Sequence, residues 1–220
     1  MTRTRFHQGL DELKQKLLVM GGMAEQAVER AVRAYQNKDV AICQLVLRDE
    51  PKINSMEREV DELAIDLLAM QQPMAVDLRL IIACIKINAD LERVGDQAVN
   101  IAERVIDISS HSKSGLTVDI PRMGSIAITM VHDALHAFVT GDVDLARSVL
   151  ERDDEVDNIN REIFEAADFA MVHSIENHRH ALDTLLVGRN LERVADHATN
   201  IAEDVIFWVR GADVRHHAQT

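Results

Sequence analysis

The chain has 220 residues, a formal charge of −13, a hydrophobic share of 47% and aromatics at only 3%. Nucleic-acid affinity comes mostly from Lys and Arg on phosphates, so this balance argues against direct DNA binding and favours cations or basic protein surfaces. The apolar content suffices for one large or two small cores, and three prolines and nine glycines are too few for the turns of an all-β chain.

Cys43 and Cys84 stand alone, with no Cys-x-x-Cys, which suits a reducing compartment. The opening MTRTRFHQGLDELK lacks the apolar core of a signal peptide. The longest apolar run, Leu80 to Ile85, is far short of the ~20 residues that span a bilayer. The chain is expected to be cytoplasmic and to meet a membrane only through a partner protein.

In chain order, Leu10, Leu13, Leu17, Met20, Ala24, Ala27, Val28, Ala31 and Ala34 recur at three and four residues and predict a helix from about Arg5 to Gln36. Gly21-Gly22 would loosen or bend it. Asn37-Lys38-Asp39 is a break, with Asp39 as the N-cap of a second helix that runs to about Gln71. Pro51 lies inside that helix, so a kink or restart is expected there. Gln72-Pro73 ends it. A third helix follows from about Ala75 to Ser109. His111 to Asp119, HSKSGLTVD, is aperiodic and reads as a linker. Pro121 opens a fourth helix to about Thr140, Gly141-Asp142 breaks it, and the fifth covers about Val143 to His173. The sixth, about Arg179 to Arg210, stops at Gly211, and the tail with His216 and His217 reads as frayed.

Two stretches tie these elements together. Leu91 to Ile106 reads LERVGDQAVNIAERVI and Leu191 to Ile206 reads LERVADHATNIAEDVI, with twelve of sixteen positions identical at an offset of 100. The Lys38-Asp39 break matches Gly141-Asp142 at an offset of 103, and Arg58-Glu59-Val60 matches Arg161-Glu162-Ile163. Such long-period self-similarity predicts an all-α chain of six long helices, duplicated into two pseudo-symmetric three-helix bundles, residues 1–112 and 113–220.

At about 100° per residue, Glu92, Asp96, Asn100 and Glu103 form one stripe of the third helix, opposite Leu91, Val94, Ala98, Ile101 and Val105. A solvated face explains such a stripe equally well. However, it borders Gly95, Val99 and Ile106. The second helix also repeats the spacing in Glu57 and Asp61, with Leu68 between them and Val60, Ala64 and Ile65 flanking. Acids within an apolar arc are costly unless paired or bound to a cation. Glu57, Asp61, Glu92 and Asp96 are hard oxygen donors suited to Mg, Ca, Mn or iron. Arg93 offers the alternative of a structural ion pair.

There is no Glu-x-x-His of diiron bundles, no Walker loop and no Gly-x-Ser-x-Gly. His132 and His136 are spaced i, i+4 without the HExxH glutamate, and read as a surface or half-buried pair. His197, beside Asp196, extends the second acidic stripe or is simply exposed. Met20, Met23, Met56, Met70 and Met171 sit at core spacings.

Three segments, QQPMAVDLRLI from Gln71, DLERVGDQAVNIAE from Asp90 and NLERVADHATNIAE from Asn190, resemble the PhoU family of bacterial phosphate-uptake regulators over nearly the whole chain. The resemblance implies a cytoplasmic, often homodimeric protein that joins a phosphate ABC transporter's ATPase subunit to a phosphate-sensing histidine kinase. It implies a negative regulator of uptake and of the phosphate-starvation response, not an established enzyme. It also implies metal binding, including iron or zinc, at Glu57, Asp61, Glu92 and Asp96, and at Glu192 and Asp196. Because Glu57 and Asp61 align with Asn160 and Phe164, the second site is expected to be weaker or built differently. Asp153 and Asp157 supply another acidic pair one turn earlier. Other readings of the residues are a metal-dependent hydrolase or oxidase, and a metal-free helical scaffold.

Overall fold

The structure is a computed structural model. It describes residues 3–71, 73–110, 116, 118–173 and 178–211, with side chains placed for all of these except 3, 4, 70 and 71. Six helices account for nearly all of them: α1 Arg3–Asn37, α2 Val40–Gln71, α3 Val76–Ser109, α4 Ile120–Thr140, α5 Val143–His173 and α6 His178–Arg210. The expected boundary at residues 112 and 113, most of the expected linker, and His216 and His217 lie outside the described residues.

The helix starts follow local chemistry. Asp39 accepts hydrogen bonds from the backbone N–H groups of Ala41 and Ile42 at 2.9 and 3.2 Å. Its repeat partner Asp142 does the same for Asp144 and Leu145, at 3.0 Å each. Each cap satisfies donors that the first turn leaves free. The residue before each is left-handed: Gly141 at φ 69° and, at the same repeat position, Lys38 at φ 53°. Asp119 caps α4 through Arg122 N at 3.1 Å, with Pro121 in the first turn, where its missing N–H costs nothing.

Neither of the two expected weak points ends a helix. The α1 helix runs unbroken through Gly21-Gly22, and α2 runs through Pro51 without a restart. Pro51 sits on the exposed side of α2, while Cys43, Val46, Ile53, Val60 and Ala64 hold the opposite side in the core on both flanks of it. Packing over a long amphipathic face outweighs the one backbone bond that proline removes.

The first bundle is α1 with α2 and α3, and the second is α4 with α5 and α6. The bundles join along two seams, α3 against α6 and α1 against α4. In both seams the helices are antiparallel. Lys86 meets Asp204 and Arg104 meets Asp183 across α3 and α6. Across α1 and α4, a Cβ built on Gly21 falls 2.2 Å from Leu135 Cδ1, and one built on Gly124 falls 2.6 Å from Val32 Cγ2. Gly21 and Gly124 are equivalent at the offset of 103, as are Val32 and Leu135. The same close approach is thus made twice, and a pseudo-twofold axis passes through the seam. This is why Gly21 is glycine: its absent side chain is filled by a leucine of the other bundle.

Core burial follows the expected stripes. Leu13, Leu17, Met20, Ala24, Val28 and Ala31 are fully buried on α1, as are Leu91, Val94, Ala98, Ile101 and Val105 on α3. Of the other methionines expected in the core, Met23 and Met56 pack at its edge, Met171 is half-buried, and the side chain of Met70 lies outside the description. Ile65, expected to flank the α2 acids inside an apolar arc, is 60% exposed.

The two adjacent glycines should therefore respond oppositely. Gly21→Val overpacks the α1–α4 seam and should cost about 1–3 kcal/mol in urea unfolding. Gly22→Ala, with nothing within 4 Å of the added methyl, should stabilise by about 0.5–1 kcal/mol through helix propensity alone. Effects of the same sign would contradict this account of the seam.

Candidate metal centre

Each bundle lays one acidic stripe of its signature helix against acids of its middle helix. In the first bundle, α2 carries Glu50, Asn54, Glu57 and Asp61 at spacings of four, three and four, which keeps them on one side. Opposite them α3 carries Glu92 and Asp96. Glu57, Asp61, Glu92 and Asp96 are all half-buried.

These groups act on one another. Burial pushes the Glu57 carboxyl above its usual range, and the charges of Asp61 and Asp96 push it further, against a smaller pull from Arg58. Glu92 is raised by burial, then by Asp96 and Glu57, while Arg93 pulls it down and Glu50 pushes it up. Asp96 is raised by burial and by Glu50. Arg93 thus offsets the cluster without neutralising it. Because Glu57 and Glu50 of α2 act on Glu92 and Asp96 of α3, the α2 and α3 acids share one groove. Desolvation and like charge both disfavour the ionised state here.

Asp61 is held differently. Asn88, buried to 1% exposure on α3, donates from Nδ2 to Asp61 Oδ1 and to the Glu57 carbonyl, both at 2.9 Å. That amide ties α3 to α2 one turn before the signature. Two amide oxygens beside the groove, Asn54 Oδ1 and Asn88 Oδ1, are buried without a hydrogen-bond partner.

In the second bundle, α6 carries Glu192 and Asp196, and their partners on α5 are Asp153 and Asp157. Asp153 is pushed up to about 6 by burial first, then by Asp157, Asp196, Asp154 and Glu192. Glu192 is raised by burial, Asp196 and Asp157, and lowered by Arg189 and Arg193. Partial desolvation and Asp157 raise Asp196, while His197 and Arg193 lower it. At the positions of Glu57 and Asp61 stand Asn160 and Phe164, which line a cleft with Glu192 and Asp196.

Sequence reasoning singled out Glu57 and Asp61 in the first half but passed over Glu50. The signal was present, since Glu50 aligns with Asp153 and Asn54 with Asp157 at the offset of 103. His197 acts on Asp196, but it is not exposed. It turns into the α3–α6 seam, with Nδ1 2.9 Å from Asp90 Oδ1. His132 lies on the α1–α4 seam, with Nδ1 3.5 Å from Glu25, and His136 is exposed.

In chemistry the donor set fits a hard cation: desolvated carboxylates raised by their own mutual repulsion, with orphaned amide oxygens beside them. As the side chains stand, no three His, Cys, Asp or Glu groups among the described residues converge closely enough to hold an ion.

Fold and site together define a class: a duplicated all-α protein whose two bundles each present an acidic interhelical groove. The PhoU domain model matches residues 17–105 and again 120–205. Over 216 residues the chain is 41% identical to the phosphate-specific transport system accessory protein PhoU homolog of Pseudomonas aeruginosa, covering 96% of this chain and 88% of that protein. It is 32% identical to the accessory protein PhoU of Escherichia coli over 212 residues, with the same two shares. The crystal structure of PhoU from Pseudomonas aeruginosa superposes with a TM-score of 0.90 at 39% identity, covering 94% of this chain and 100% of that one. PhoU from Streptococcus pneumoniae does so at 0.86 with 27% identity, covering 95% and 99%. The chain belongs to the PhoU family.

Asp153 gives a signed prediction. Its folded value of about 6 exceeds its ordinary 3.8, so the folded state holds the proton more tightly. Its support for the fold is complete below about 3.8 and lost as pH rises through about 6. The gain in melting temperature of metal-free Asp153→Asn over the parent should be near zero at about pH 4 and positive at about pH 7. A difference independent of pH would show that Asp153 is not desolvated in the fold.

Proposed function

We propose that this chain is a cytoplasmic regulatory adaptor that restrains phosphate uptake and the phosphate-starvation response. The observation that carries the reading is similarity over nearly the whole chain to proteins named as accessory to the phosphate-specific transport system. The partners it would join are the ATPase subunit of a phosphate ABC transporter and a phosphate-sensing histidine kinase, and it would act as a homodimer. Long helices with exposed outward faces support this role. Among the described residues no helix is long and apolar enough to cross a membrane, so a membrane transporter would be reached through its peripheral subunit. We read the chain as a regulator rather than an enzyme.

Within this reading the acidic grooves are metal sites. The first would use Glu92 and Asp96 of α3 with Glu57 and Asp61 of α2, joined by Glu50. The second would use Glu192 and Asp196 with Asp153 and Asp157. A bound cation supplies positive charge that relieves the crowded carboxylates and clamps the middle helix to the signature helix. Loading requires the carboxylates to rotate inward, because they do not converge as they stand. The second groove also carries Arg189 against Glu192, where the first has Ala89, which supports weaker cation binding there.

Two measurements test the proposal. Affinity purification from phosphate-replete cells should recover the transporter ATPase, and elemental analysis of the same preparation should find a divalent or iron-type metal. Loss of both would leave neither part standing. Calorimetric titration with Mn²⁺, Zn²⁺ and Fe²⁺ should show Glu92→Gln/Asp96→Asn abolishing the tighter phase and Glu192→Gln/Asp196→Asn the weaker. Saturation to 100 times Kd should raise stability by about 2.7 kcal/mol. Equal affinities in the two double variants would remove the asymmetry.

A further inference from the structure

Asn88 is a polar exception in a buried stripe of α3. Cys84, Leu91 and Gly95, at helical spacings of four, three and seven from it, are all buried, and an apolar residue would continue their surface. Asn88 is itself only 1% exposed. Its Nδ2 donates to Asp61 Oδ1 and to the Glu57 carbonyl, both at 2.9 Å, which uses both amide hydrogens. Its Oδ1 is closed off from solvent and has no hydrogen-bond partner among the described residues. A buried carbonyl left unpaired is costly, so the position carries an amide at a penalty that packing does not explain.

The second bundle shows that the fold does not need this amide. The equivalent of Asn88 at the offset of 100 is Gly188, and the equivalent of Asp61 at the offset of 103 is Phe164. Donor and acceptor are missing together. Asn160, the equivalent of Glu57, has its Oδ1 3.2 Å from a Cβ built on Gly188. The α5 and α6 helices therefore pack closely at this level with no amide from α6 between them. The buried amide is present only in the bundle that has the aspartate for it to hold. Of the four acids Glu57, Asp61, Glu92 and Asp96, Asp61 alone has a side-chain hydrogen bond among the described residues.

We propose that Asn88 is a positioning residue for cation binding in the first groove. The bond to the Glu57 carbonyl anchors the amide against α2. The bond to Asp61 then holds that carboxylate by one oxygen, sets its plane and leaves Oδ2 for a cation. Asp61 becomes the fixed donor toward which the unbonded side chains of Glu57, Glu92 and Asp96 turn. A hydrogen bond behind a metal ligand orients it and tunes affinity without touching the ion. The second groove has neither the amide nor the aspartate, so a cation there finds no equivalent fixed donor. The inference deepens the metal reading of the first groove and rests on it: it names a residue behind the ligands that separates one groove from the other.

The test is a double-mutant cycle on the full chain, read by calorimetric titration with Mn²⁺, Zn²⁺ and Fe²⁺. The parent, Asn88→Ala, Asp61→Ala and Asn88→Ala/Asp61→Ala are each made with Glu192→Gln/Asp196→Asn, so that only the first groove reports. Asn88→Ala should weaken Kd by about tenfold. With Asp61→Ala already present, the same substitution should change Kd by less than about twofold, because no carboxylate is left for the amide to hold. Asn88→Ala with the second groove intact should leave the weaker phase unchanged. Circular dichroism confirms the fold of each variant, and Asn88→Ser, too short to reach Asp61, replaces the alanine variant if that one does not fold. A purely structural role moves Kd equally with and without Asp61, or weakens both grooves, and either result overturns the proposal. If Asn88→Ala binds as tightly as the parent, the metal reading stands and the positioning role falls. If the parent binds none of the three metals, both fall.

Discussion

The antiparallel contact of α3 with α6 is the constraint on which the rest of the structure depends. Each of these helices buries its aliphatic stripe, Leu91 through Val105 on one and Leu191 through Val205 on the other, against its own bundle and its counterpart. With the inward arcs committed to packing, the acids of both signatures can only emerge on the remaining arc, toward α2 and α5. The seam therefore does more than join two halves. It fixes the rotation of both signature helices, and so the direction in which Glu92, Asp96, Glu192 and Asp196 face.

The seam is also where the duplication ceases to be symmetric. Lys86 meets Asp204 at 2.8 Å and Arg104 meets Asp183 at 3.5 Å. Arg104 and Asp204 occupy equivalent positions with opposite charges. Asp90, nearly buried, takes His197 at 2.9 Å and Asn200 at 3.3 Å. Its repeat equivalent is the neutral Asn190, buried in turn. Half-buried pairs such as these contribute little net stability, because desolvation offsets the attraction, but breaking one strands a charge. They discriminate between registers, and charge swapping lets two near-identical helices prefer each other to a copy of themselves. The α1–α4 seam is the opposite case, where two equivalent glycines and two equivalent aliphatic side chains repeat one contact.

The grooves gather charge that the fold does not neutralise. Burial and mutual repulsion raise Glu57, Glu92 and Asp96 in one bundle and Asp153, Glu192 and Asp196 in the other. Such clusters store unfavourable energy that any bound cation relieves. In the second bundle Asn160, Phe164 and Arg189 stand where the first has Glu57, Asp61 and Ala89, while Asp157 stands where it has Asn54. A duplicated scaffold thus holds two sites of related geometry and different chemistry.

Much of this was legible in the residues. The three-and-four spacing of Leu10, Leu13 and Leu17, the caps Asp39 and Asp142, and the signature repeated at an offset of 100 determined six helices in two bundles, because periodicity and capping act within a few residues of the chain. The same local logic allowed a restart at Pro51 that does not occur, because the breaker's cost is local while the compensating burial comes from other helices. Glu50 was hidden because its importance lies in facing Asp96, and a helical wheel shows only one helix at a time. His197 beside Asp196 looked like part of an acidic stripe, yet tertiary packing turned it to Asp90, more than a hundred residues away. Helix boundaries, buried stripes and the duplication came from the sequence alone. Which acids share a groove, and which polar groups instead hold the seam, was decided only when α3 and α6 packed together, since one helix's pattern cannot specify the rotation of its neighbour.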